Sequence, residues 1–61
     1  MKRESLIKHL RKNGCQLLRE GSKHSVYFNP SNDNQTTIPR HSELDNVICT
    51  LICKQLGIKK P

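Results

Sequence analysis

The stretch Gly21-Ser22-Lys23-His24-Ser25-Val26-Tyr27-Phe28-Asn29 decides the fold. Gly-Ser is a turn signal, and the residues after it include the β-branched and aromatic types that fill strands. Alternation over 24–29 puts Val26 and Phe28 on one side of a strand and Ser25 and Tyr27 on the other. Parity assigns His24 to the Val26 side, although the first residue of a strand often departs from parity. A strand is thus entered through a tight turn, with a histidine at its mouth.

Toward the N-terminus, Cys15 to Glu20 reads as a preceding strand whose alternation is broken by the adjacent Leu17 and Leu18. Before it, residues 5–13 read as a helix with Leu6, Ile7 and Leu10 on one face, Ser5 as cap and Gly14 just past the end. Toward the C-terminus, Pro30 to Gln35 is a polar hairpin loop, and Gln35 to Ile38 a short third strand ended by Pro39. Residues 43–56 read as the longest helix. Its apolar face is Leu44, Val47, Ile48, Leu51, Ile52 and Leu56, its start a capping box of Ser42 and Asp45, and its stop Gly57. The order helix, three antiparallel strands, helix predicts an α+β fold, αβββα, with both helices packed on one sheet face and the other face left open.

The chain has 61 residues, of which 33% are hydrophobic, with one Tyr, one Phe and no Trp. A core made mostly of Leu, Ile and Val is expected, with no room for a large cofactor cavity. Eleven Lys and Arg against five Asp and Glu leave a net charge of +6, which favours a polyanionic partner, nucleic acid first. A merely solvated basic surface is the plain alternative. No apolar run approaches the roughly 20 residues of a membrane span, and none of signal-peptide type follows Lys2 and Arg3, so a cytoplasmic protein without membrane contact is expected. Three cysteines fit reduced thiols better than a disulfide framework. Cys49 and Cys53 stand one helical turn apart, but no second ligand pair has zinc-like spacing, and no carboxylate cluster suits Mg²⁺. They and Cys15 read as core residues, and neither metal nor cofactor is expected.

The chemistry-bearing candidates surround two short motifs, Gly21-Ser22-Lys23-His24 and Ile38-Pro39-Arg40-His41. Histidine is the side chain best suited to moving protons near neutral pH, and RNA carries its own nucleophile in the 2′-hydroxyl. His24 is the candidate base or acid; an idle, exposed histidine is the alternative. Gly21 supplies backbone shape, and its amide and that of Ser22 are candidates for phosphate contact, with Lys23 beside them. Arg40 and His41 stand before the predicted second helix, whose amides would attract phosphate, and are either RNA contacts or support for the fold. Tyr27 reads equally as a base-stacking surface or a structural residue. His9 reads as a partly buried packing residue.

In the order and spacing of Gly21-Ser22-Lys23-His24, Tyr27, Ile38-Pro39-Arg40-His41 and Lys54-Gln55-Leu56-Gly57-Ile58, the chain resembles the HicA-type toxins of type II toxin–antitoxin pairs. The resemblance covers nearly the whole chain, 1–61, as one RNA-cleaving domain. It implies a fold like a double-stranded-RNA-binding domain and metal-independent cleavage of mRNA. It also implies a HicB-like antitoxin that covers the active site, and a catalytic histidine at the end of the Gly-Ser-x-His motif, here His24. Lys23 stands where many members carry a second histidine. Two other functions compete. One is a non-catalytic RNA-binding module of the same fold, for which His24 is dispensable. The other is a small DNA-binding regulator, disfavoured because residues 44–56 are largely apolar.

Overall fold

A computed structural model describes all 61 residues. Helix α1 (Arg3–Lys12) leads into strands β1 (Gln16–Glu20), β2 (His24–Asn29) and β3 (Asn34–Pro39), and helix α2 (Asn46–Leu56) follows. The strands form one antiparallel sheet in the order β1-β2-β3. The expected αβββα architecture is the one observed.

Leu6 and Leu10 of α1, Tyr27 and Ile38 of the sheet, and Cys49, Ile52, Cys53 and Leu56 of α2 belong to one buried cluster, so both helices lie on the same sheet face. Val26 and Phe28 stand outside that cluster, on the opposite face. The interrupted alternation of β1 has a structural counterpart. The register with β2 shifts between Leu17 and Arg19, a β-bulge at Leu18, and both leucines remain exposed.

Both helix starts differ from the sequence expectation. Helix α1 begins at Arg3 rather than Ser5 and has no side-chain cap; the Arg3 amide donates instead to the Ser42 carbonyl at 2.9 Å. An acceptor from the far end of the chain replaces the local one. Helix α2 begins at Asn46 rather than residue 43. Asp45 is itself the cap, accepting from the Val47 amide at 2.7 Å, and Ser42 lies outside the helix.

The buried face of α2 also differs. Val47, Ile48 and Leu51 are 66%, 39% and 51% exposed, while the small thiols of Cys49 and Cys53 join Ile52 and Leu56 in the core. All three cysteines are free and buried, as core residues should be. Burial pushes each thiol pKa up. The C-terminus of α2 is held by the hairpin between β2 and β3: Asn29 and Asn32 donate to the Leu56 carbonyl at 2.8 and 3.1 Å. Gly57 follows with φ 71°, where a Cβ would stand 2.6 Å from the Asn32 amide nitrogen.

Candidate active site

The two short motifs meet because β2 and β3 are paired. The register sets His24 opposite Pro39, so the turn before β2 and the segment leaving β3 share one end of the sheet. A groove of about 350 Å³ lies between them, lined by Ser22, Lys23, His24, Pro39, Arg40 and His41. A second groove of about 380 Å³ shares Ser22, Lys23 and His24 and continues past Glu20, Arg19, Val26 and Thr37. His24 therefore stands, exposed, where the two grooves join.

The turn is built from backbone contacts. The Gly21 amide donates to the His24 carbonyl at 2.8 Å and closes the hairpin. Gly21 does not adopt positive φ; the left-handed glycines are Gly14 and Gly57. What the position demands is close approach, since a Cβ there would lie 3.1 Å from the His24 carbonyl oxygen. The Gly21 amide is thereby committed and is not free for phosphate. The amides of Ser22 and Lys23, at the tip, make no hydrogen bond within the chain.

Arg40 braces this turn. One of its guanidinium nitrogens donates to the Glu20 carboxylate and to the Gly21 carbonyl, both at 2.7 Å. The other donors of the fork make no hydrogen bond within the chain and are available to an anion in the groove. Behind Glu20, Arg3 of α1 donates to the Ser25 hydroxyl at 2.8 Å and the Pro39 carbonyl at 2.9 Å. The Ser25 hydroxyl, then the Arg40 and Arg3 charges, hold the Glu20 carboxyl below its usual range against the opposing effect of desolvation. Sequence reasoning missed Glu20 and Arg3. Glu20 does flank the turn motif, but Arg3 carries no local signal that it reaches the sheet end.

Three sequence expectations change here. Arg40 and His41 do not precede a helix directly, because α2 starts at Asn46 and its N-terminal amides are capped by the Asp45 carboxylate, which repels phosphate. Tyr27 is only 4% exposed within the core cluster, the structural alternative for this residue, and offers no face to a base. Phe28, the other aromatic ring, is half-buried on the open face instead. His9 is partly buried, with its Nε2 2.7 Å from the Lys59 carbonyl oxygen, in keeping with a packing role.

No group of three or more His, Cys, Asp or Glu side chains is placed to hold a metal ion. The largest concavity, about 600 Å³, lies along Thr50, Lys54, Ile58, Lys59 and Lys60 and contains no acid–base pair. No helix is long and apolar enough to cross a membrane.

A family model described as "HicA toxin of bacterial toxin-antitoxin" matches residues 3–58, both helices and all three strands included. The chain belongs to the HicA toxin family. No curated protein and no solved structure matches it significantly. As a HicA-family toxin the chain is one half of a toxin–antitoxin pair. The groove end of this toxin is its basic, histidine-bearing end, with Lys23, Arg40 and His41 around His24.

Proposed function

We propose that this toxin is a metal-independent endoribonuclease that cleaves mRNA, inhibiting translation and growth, and that His24 is its catalytic acid or base. The carrying observation is the exposed His24 imidazole at the junction of two grooves, beside cationic side chains from a second segment of the chain. In such cleavage a base removes the 2′-hydroxyl proton and the 2′-oxygen attacks phosphorus. An acid then protonates the leaving 5′-oxygen. A positioned histidine taking one role contributes roughly 10²–10⁴-fold. The complementary role falls to the second groove imidazole, His41, or to water.

Lys23 and the unpaired donors of Arg40 face the phosphate and stabilise the charge that develops on its oxygens. Ser22 is not the nucleophile, because the nearby carboxylate, Glu20, is bound by Arg40 rather than orienting His24. The Ser22 and Lys23 amides supply further phosphate contacts. The basic side chains Lys2, Lys8, Arg11 and Lys12 add a diffuse attractive field. The protein works in the cytoplasm, and a HicB-like antitoxin with an acidic face covers the groove.

The test is incubation of the purified protein with RNA in EDTA beside a His24→Ala control. Cleavage by the parent and none by the variant, with an unchanged thermal unfolding profile, is the expected result. His24→Gln should retain RNA binding, since phosphate contacts come mainly from Lys and Arg. Activity of His24→Ala within about threefold of the parent, well short of the general acid–base contribution, removes His24 from the chemistry.

A further inference from the structure

We propose that the open face of the sheet binds a single-stranded segment of RNA, with Phe28 as the platform on which a base stacks. This rests on the ribonuclease function proposed above and extends its site away from the scissile phosphate.

The strand register defines the face. Val26 lies opposite Arg19 on β1 and Thr37 on β3, and Phe28 lies opposite Gln16 and Gln35. These pairs share the side of the sheet that neither helix covers, because Tyr27 and Ile38 face the helical core. The pairs carry a guanidinium, a hydroxyl, two amides and one aromatic ring, but no carboxylate. The strand carboxylate, Glu20, lines the groove at the His24 end of this face, where it is paired with Arg40. A polyanion meets one carboxylate along this path, its charge offset by Arg40, and then only cationic, polar and apolar groups.

Continuity with the candidate active site supplies the second argument. The groove that contains Lys23 and His24 runs onto this face past Arg19, Val26 and Thr37. Phe28 follows on the same side of β2, four residues beyond His24 and so roughly 13 Å away at strand rise. That is a reach of a few nucleotides. RNA with its phosphate at His24 passes Val26, which is itself buried, and lays a neighbouring base on Phe28, with Arg19 beside the backbone. Phe28 is half-buried yet is not packed into the core cluster, so its ring is held by neighbours while one side remains accessible. A pre-held ring loses little freedom on stacking. The amides of Gln16 and Gln35 flank it and have the donors and acceptors that read base edges. Bases in a duplex are already stacked and paired, so the face selects single strands, although the fold is that of a duplex-RNA binder.

The chain has no tryptophan, so Phe28→Trp introduces its sole indole at the platform. The probe is a single-stranded 2′-O-methyl RNA oligonucleotide, which cannot be cleaved, and a dye on the oligonucleotide reports binding independently. The expected result is quenching of the indole in parallel with binding, weaker binding by the matching duplex, and no quenching by inorganic polyphosphate at concentrations that compete for the basic groups. Phe28→Ala should bind the oligonucleotide about tenfold more weakly, as loss of one stacked base requires, while Phe28→Tyr retains affinity. An indole signal unchanged at saturating oligonucleotide overturns the inference, as does equal quenching by polyphosphate. If RNA is also cleaved by the parent in a His24-dependent way, the ribonuclease function survives that failure. If the oligonucleotide does not bind at all, both fall. Quenching by the antitoxin but not by RNA assigns the face to the protein partner and also overturns the inference.

Discussion

Arg40 and Glu20 form an ion pair at 2.7 Å across the end of the sheet, and the same guanidinium nitrogen reaches the Gly21 carbonyl at 2.7 Å. The segment leaving β3 is thereby tied to the turn that presents His24. The pair is half-exposed, so its worth lies in geometry more than in stability. It keeps the second motif beside the first and leaves the rest of the guanidinium facing the groove.

Glu20 gives this brace a pH dependence. Its folded-state carboxyl pKa is lowered by Ser25, Arg40 and Arg3 relative to the ordinary 4.5. Stabilisation from the charged carboxylate is therefore present above pH 4.5 and is lost as pH falls through the depressed folded value. Thermal melts of the parent and Glu20→Gln should differ at pH 7 and converge in acid. A gap that stays constant down to pH 2 would show that the carboxylate charge contributes nothing.

Removing the brace from the other side should affect cleavage more than stability. Arg40→Ala is expected to lower RNA cleavage by about tenfold or more, in line with loss of one charged donor to the transition state, with only a small change in melting temperature. Arg40→Lys should recover the charge but not the two-acceptor grip on Glu20 and Gly21, and so should restore activity only in part. Full activity in Arg40→Ala would remove this residue from both roles.

The proposed cleavage through the 2′-oxygen fixes the chemistry of the products. RNA fragments should end in a 2′,3′-cyclic phosphate or 3′-phosphate, and EDTA should leave the rate unchanged in freshly purified protein. Fragments with 3′-hydroxyl ends, or a reaction that EDTA stops, would point to a different mechanism.

The three thiols should be inert in the folded protein. Cys15, Cys49 and Cys53 are buried, and desolvation raises each pKa, which lowers the thiolate fraction that reacts. Labelling by a disulfide reagent at pH 8 should be slow and limited by unfolding, with all three thiols appearing at once in denaturant. Prompt reaction of Cys49 or Cys53 in the native protein would show that α2 is not seated as described.

The partner should act through charge as well as contact. A toxin with net charge +6 favours an antitoxin with an acidic face, whose association slows as salt rises. Titration with the co-encoded antitoxin should suppress cleavage and raise the melting temperature, because a ligand specific for the native state stabilises it by mass action. Saturating antitoxin that leaves cleavage unchanged, or binds together with RNA without competition, would exclude a partner that covers the groove.

Much of this fold was legible from local chemistry. The Gly21-Ser22 turn, the strand over 24–29, the stop at Gly57 and the order of elements all follow from rules that act over a few residues, and the structure has them. Even the irregular Leu17-Leu18 pair carried its meaning, since broken alternation is what a bulge produces. Composition and charge likewise suffice to suggest a polyanionic partner, because they need no geometry.

Tertiary contacts decided what local rules could not. Periodicity put Val47, Ile48 and Leu51 on the buried face of α2 with Ile52 and Leu56; packing rotates that face toward Cys49 and Cys53, already read as core residues, and leaves Val47, Ile48 and Leu51 exposed. The start of α1 rests on a carbonyl from Ser42, and the brace on His24's turn combines Arg3, Glu20 and Arg40 from three separate segments. Strand parity separated Tyr27 from Phe28, but only the placement of the helices determined which ring is buried in the core and which stands on the open face. Local sequence specifies conformation through short-range sterics and hydrogen bonding. Which face becomes interior depends on what the rest of the chain brings against it.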